Sequence, residues 1–124
     1  MPKTILAVDD DPHIARIVRA ALERLGYTVE TASNGIEALE RVASQPDLIL
    51  LDVQMPYMDG FETLKRLKAQ PETADIPVIM LTAKAGDEDV LRGWEGGADS
   101  YLTKPFYEAE LVQFVRRILG PETD

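Results

Sequence analysis

The sequence predicts an α/β domain built on a doubly wound, five-stranded parallel sheet, and three observations carry that expectation. Apolar runs of strand length recur at "TILAVD", "TVETA", "DLILLD", "IPVIMLT" and "SYLT". Between them lie segments whose apolar residues repeat with helical spacing, so that strand and helix alternate along the chain. The first, third and fourth runs are almost continuously apolar, the pattern of parallel strands covered by helices on both faces and joined by right-handed crossovers.

The elements follow in order. After the first strand, "DPHIARIVRAALERLGY" places Ile14, Ile17, Val18, Ala21, Leu22 and Leu25 on one helical face, with Asp11 as N-cap, Pro12 at the first helical position and Gly26 as terminator. The second helix begins in "SNGIEALERVA", where Asn34 and Glu37 have the spacing of a capping box, and it ends before "QPD" with Ala38, Leu39 and Val42 facing inward. A third helix is expected over "FETLKRLKA" and a fourth over "GDEDVLRGWEGG", weakened by Gly93, Gly96 and Gly97. The fifth, "YEAELVQFVRRIL", gathers Leu111, Phe114, Val115 and Ile118 on one side. In the loop before the third helix, Pro56 fixes φ and Gly60 is expected to supply a positive φ.

With 124 residues the chain is about one domain long. Its 13 basic and 22 acidic side chains leave a net charge of −9, which repels phosphate backbones and anionic membranes and argues against direct nucleic-acid binding. The absence of cysteine excludes disulfides and thiolate metal sites, and the apolar stretch Ile5 to Val8 is too short for a signal-peptide core or a membrane span. A cytoplasmic location is the default expectation.

The chemistry gathers at one edge. In an open α/β sheet functional groups collect beyond the carboxyl ends of the strands. Here the first strand ends in Asp9, Asp10 and Asp11, the third in Asp52, the fourth in Thr82 and the fifth in Thr103 and Lys104. Carboxylates brought that close raise one another's pKa unless a cation is shared, and an all-oxygen donor set favours Mg²⁺. Asp11 reads as a helix cap, whereas Asp10 and Asp52 read as a pair. A carboxylate can attack phosphorus to form an aspartyl phosphate, with Mg²⁺ and a cationic side chain offsetting the accumulating charge. Asp52 and Lys104 supply those groups, and the Thr82 hydroxyl can donate to a phosphoryl oxygen. His13 reads as a solvated side chain and Trp94 as core.

With "VDDD" after the first strand, "LDVQMPYMDG" around Asp52, "LTAKA" at Thr82 and "YLTKPF" at Tyr101, Lys104 and Pro105, the chain resembles the receiver domains of two-component response regulators. The likeness runs over residues 1–120, leaving 121–124 as a tail or linker stump. It implies a flavodoxin-like (βα)5 fold of strand order 2-1-3-4-5, with the first and fifth helices on one face and the other three on the other. It further implies that Asp52 is the phosphoacceptor for a sensor histidine kinase or phosphotransfer protein, and that Asp10 and Asp52 bind Mg²⁺ directly. Asp9 would assist through water, and the backbone carbonyl of Gln54 would complete the protein ligands.

On the same resemblance, Lys104 pairs with the phosphoryl group and the Lys104–Pro105 bond is cis. Thr82 and Tyr101 switch together, remodelling the surface of the fourth helix, fifth strand and fifth helix. Gln54 and Lys84 occupy the positions that tune phosphoryl lifetime. Output through a further domain, through a homodimer across that surface, or through docking on a separate target stays open. The domain is expected to be a switch with only slow self-phosphorylation and dephosphorylation. Two rivals are a phosphohydrolase of the haloacid dehalogenase type using the D-x-D of Asp9 and Asp11, disfavoured by His13 two residues on, and a pseudo-receiver of the same fold, which would be betrayed by a missing acid or lysine.

Overall fold

The computed structural model describes residues 2–55, 57–82 and 96–120. Five parallel strands, β1 (Thr4–Val8), β2 (Thr28–Ala32), β3 (Leu48–Asp52), β4 (Val78–Thr82) and β5 (Ser100–Thr103), form one sheet in the order β2-β1-β3-β4-β5. The described helices are α1 (Pro12–Glu23), α2 (Gly35–Arg41), α3 (Gly60–Ala69) and the C-terminal helix (Glu108–Leu119), and a 3-10 turn over Val42–Ser44 follows α2. The fourth predicted helix, with Trp94, lies outside the described residues except for its last two, Gly96 and Gly97; Lys84, Pro56 and the 121–124 tail also lie outside them.

Strand alternation divides the core into two layers. Ile5, Ala7, Leu48, Leu50, Ile79, Leu81 and Leu102 point to the side covered by Val18, Ala21 and Leu22 of α1 and by Leu111 and Val115 of the C-terminal helix. Leu6, Val8, Ile49, Leu51, Val78 and Met80 point to the other, covered by Ala38 of α2, Val42, and Leu64 and Leu67 of α3. The strands β1, β3 and β4 are buried on both faces, as their continuous apolar character requires.

The local signals act largely as the sequence predicts. The Asp11 carboxylate accepts from the His13 N–H at 2.9 Å, Pro12 opens α1, and Gly26 takes φ +95° after it. Three expectations need correction. Ile17, assigned to the buried face of α1, is 44% exposed, because it sits at the margin of a stripe already filled by Val18, Ala21 and Leu22. The α2 cap is only half a capping box: the Asn34 side chain accepts from the Glu37 N–H at 2.8 Å, but the Glu37 carboxylate reaches past Asn34 to the N–H of Ser33. And the positive φ in the loop before α3 belongs to Tyr57, at +72°, not to Gly60.

Candidate functional site

The same alternation that builds the core aims the site. On the face covered by α1 and the C-terminal helix, β1 runs Ile5, Ala7, Asp9; β3 runs Leu48, Leu50, Asp52; β5 continues past Leu102 to Lys104. Three parallel strands thus carry their inward row one step further into two acids and a lysine. The Lys104 Nζ donates to Asp9 Oδ2 at 2.8 Å and to Asp52 Oδ1 at 3.2 Å. Both acids are buried, Asp9 at 4% and Asp52 at 5% exposure.

Each side chain is held from behind. The Asp9 N–H donates to the Ala32 carbonyl at 3.0 Å, extending the β1 ladder by one residue, and Asp9 Oδ1 accepts from the Asp11 N–H at 2.9 Å. The Lys104 N–H donates to the Thr82 carbonyl at 2.7 Å, and the Lys104–Pro105 bond is cis, as expected. Val53, next to Asp52, donates to the Leu81 carbonyl at 2.9 Å and accepts from the Gly60 N–H at 2.8 Å. Gly60 packs so closely that a Cβ there would lie 2.3 Å from the Asp52 carbonyl oxygen and 2.8 Å from the Val53 Cα. This close approach is why position 60 needs glycine, and it turns on the tertiary packing of α3 against the end of β3.

Carboxylate oxygens of Asp9, Asp10 and Asp52 lie within 4.8 Å of one another, and Asp10 is the exposed member of the three. Burial pushes the Asp52 carboxyl up to about 6 from its ordinary 3.8, the Asp9 carboxylate adds to the rise, Lys104 opposes it and Asp10 contributes least. Burial alone would favour the neutral amine of Lys104, but the hydrogen bond and charge of Asp9, followed by those of Asp52, hold its pKa above the ordinary lysine value. Three acids against one lysine also leave negative charge uncompensated at a partly buried point, which adds to the burial-driven rise at Asp52. An all-oxygen donor set with excess negative charge fits a small, hard divalent cation.

Thr82 is buried at the end of β4, in register with Thr103. Tyr101 pairs with Met80 and packs, partly buried, against the same core layer, so Thr82 and Tyr101 occupy successive positions on one face of two adjacent strands. Gln54 is exposed in the loop after β3. Thr103 is exposed, and His13 is exposed on the first turn of α1. The Asp11 carboxylate caps α1, while Asp9 turns its own carboxylate to the Asp11 N–H and to Lys104, so the two acids of the D-x-D are engaged in different contacts. Sequence reasoning missed the close contact of Gly60 with the end of β3 and the gathering of Arg16, Arg19 and Arg41 in the α1–α2 cleft beside Asp9 and Asp10. Neither leaves a local pattern, since both depend on elements meeting in space.

A doubly wound α/β domain with a buried acid at the end of β3, two acids after β1 and a lysine after β5 defines a class of carboxylate-centred signalling switches. The chain belongs to the response regulator receiver domain family, which matches residues 5–116. It is 48% identical over 120 residues to the "DNA-binding dual master transcriptional regulator RpaA" of Synechocystis, covering 96% of this chain and 49% of that protein. The chain therefore spans about half the length of this curated relative. It superposes with a TM-score of 0.91 on Vibrio cholerae chemotaxis protein CheY4, at 37% identity, covering 95% of this chain and 99% of the other. It also resembles the receiver domain of sensor histidine kinase PA1611 from Pseudomonas aeruginosa, described with a magnesium ion coordinated in its active site cleft, with a TM-score of 0.88 at 35% identity over 97% of this chain and 99% of that one. Among the described residues no helix is long and apolar enough to cross a membrane.

Proposed function

We propose that this domain accepts a phosphoryl group on Asp52 from the phosphohistidine of a sensor kinase or phosphotransfer protein, in a Mg²⁺-dependent reaction. The observation that carries the reading is the buried Asp52 carboxylate, 3.2 Å from the Lys104 ammonium and within reach of Asp9 and Asp10. In the transfer a carboxylate oxygen of Asp52 forms a bond to phosphorus while the phosphorus–nitrogen bond breaks, and the imidazole nitrogen leaves with the electron pair. Asp10 and Asp52, with Asp9 acting through water and the backbone carbonyl of Gln54, would hold the ion. When bound, Mg²⁺ supplies neutralisation of the charge on the phosphoryl oxygens.

Lys104, which already bridges Asp9 and Asp52, would pair with a phosphoryl oxygen, and its ammonium stays charged across the physiological range. Thr82 would donate its hydroxyl to another oxygen. Tyr101, two register positions behind Thr82 on the neighbouring strand, would then move with it and pass the change to the surface around β5 and the C-terminal helix. The magnesium-bearing PA1611 receiver supports the choice of ion. RpaA, whose name describes DNA binding and whose length is about twice that of this chain, supports transcriptional output by a second module, with residues 1–120 as the receiver.

The test is intact-protein mass after incubation with acetyl phosphate, with and without Mg²⁺, beside Asp52→Asn. The reading requires a metal-dependent gain of one phosphoryl group that the variant lacks. A folded protein that gains nothing would make this a pseudo-receiver.

A further inference from the structure

Between α1 and α2, over the β1–β2 edge, a cleft of about 430 Å³ opens onto Asp9 and Asp10. Its walls carry three guanidinium groups, Arg16 and Arg19 from α1 and Arg41 from the last turn of α2. In a chain of net charge −9 these three arginines cluster beside the acidic site, where they offset the acids that line the same cleft. Arg19 and Arg41 form exposed ion pairs with Glu23 at 3.1 Å and Glu37 at 3.6 Å, a kind of contact that contributes little and exchanges readily. Arg16 is exposed and has no ion pair or hydrogen bond among the described residues.

The charges facing this space nearly cancel: Asp9, Asp10 and Glu37 against Arg16, Arg19 and Arg41. A divalent cation at the acidic end would tip the balance positive. The floor is small and apolar, from Pro12, Ala15 and Ala32. A space of this size takes a small organic molecule, and its arginines suit a phosphate or carboxylate through paired N–H donors.

We propose that the α1–α2 cleft is a donor subsite: it binds a second anionic group on the leaving portion of a small acyl phosphate while the acyl phosphoryl group faces Asp52. The inference rests on the phosphoacceptor reading and adds a preference among donors. In the step itself a bond forms between an Asp52 carboxylate oxygen and phosphorus as the acyl oxygen–phosphorus bond breaks. The acid departs as a carboxylate with the electron pair, so no external proton, oxidant or reductant is needed. Arg16, Arg19 and Arg41 are positioning residues in this scheme, acting through the donor's far end and steering anions past the local acids.

The experiment compares two donors on the same protein: acetyl phosphate, whose leaving group has no second anion, and 1,3-bisphosphoglycerate, an acyl phosphate that carries a second phosphate. The readout is the ratio of their second-order rate constants for Asp52 phosphorylation at saturating Mg²⁺, which cancels any general effect on the acceptor. In the wild-type protein the ratio should favour the bisphosphate at low ionic strength and fall as salt rises. In Arg16→Gln/Arg19→Gln it should drop about fivefold, and further when Arg41→Gln is added. A ratio insensitive to all three substitutions and to salt overturns the subsite while leaving Asp52 as phosphoacceptor. If neither donor modifies Asp52, the phosphoacceptor reading fails and the subsite falls with it.

Discussion

At Asp52 a carboxylate only 5% exposed ends an apolar strand, and burial, with the Asp9 charge adding to it, pushes its pKa up to about 6. The unfolded chain ionises this group near 3.8, so the penalty is absent below that pH, grows between 3.8 and about 6, and is constant above. At about 1.4 kcal/mol per pH unit the gap amounts to about 3 kcal/mol. Asp52→Asn should therefore stabilise the cation-free protein at pH 7.5 by up to about 3 kcal/mol, and the gain should vanish near pH 4. Paired urea titrations across that range check it, and a variant equal to or weaker than wild type at pH 7.5 would show that the carboxylate is not under strain. Gly60 is the opposite kind of residue, uncharged and necessary by contact. Gly60→Ala must displace the Asp52 carbonyl, so it should cost about 2 to 3 kcal/mol and slow phosphorylation of Asp52 by acetyl phosphate, both measurable on one preparation. The acid was legible because an apolar run halted at a charge. The glycine's contact was not, because "DG" before a helix reads as a turn and the neighbour it meets is seven or eight residues back, brought near only by the fold.

Elements are tied together by acids placed just before strands. Asp47, ahead of β3, accepts from the Thr4 N–H at 2.8 Å and donates its own N–H to the Thr4 carbonyl, closing the lower end of the β1–β3 pair. Asp99, ahead of β5, repeats the arrangement on Val78 of β4, with both contacts at 2.8 Å. The Val78 residue is fully buried whereas Thr4 is half-buried, so an amide left without its acceptor costs more at the second site. Asp99→Ala should cost about 2 kcal/mol and Asp47→Ala about 1, with Asp99→Asn recovering much of the loss through its amide oxygen. Urea midpoints at unchanged slope would measure this, and equal costs at the two sites would refute the role of burial. Element types were readable because short, nearly continuous apolar runs alternate so regularly here with segments of apolar period 3.6. Ends and faces were less so: Asp59, which caps α3 by accepting from the Glu62 N–H at 2.8 Å, lay hidden in a loop rich in other turn residues. Ile17 shows that an apolar residue at the helical spacing is not thereby buried, since the stripe that α1 needs is already complete without it.

Across the whole molecule the sheet carries one row of core side chains directly into the charged site. Asp9, Asp52 and Lys104 extend the core layer beneath α1 and the C-terminal helix, so the group that binds a cation on the proposed reading is continuous with the buried interior. A ligand that binds only the folded state stabilises it by RT ln(1 + [L]/Kd), about 2.7 kcal/mol at a hundredfold excess over Kd. Mg²⁺ should thus raise the urea midpoint at pH 7.5, where Asp52 is ionised and its repulsion with Asp9 is relieved. Below about 6 the folded protein holds a proton on Asp52 that the ion must displace, so apparent affinity should fall by up to tenfold per pH unit. The Mg²⁺-induced midpoint shift should be full at pH 7.5, diminished at pH 6 and small at pH 5, and Asp52→Asn should flatten this pH dependence along with reducing the shift. A shift of equal size at pH 5 and 7.5 in the wild-type protein would place the ion away from Asp52. The raised pKa would then stand as the joint cost of burial and of the Asp9 charge, without a role in holding the ion.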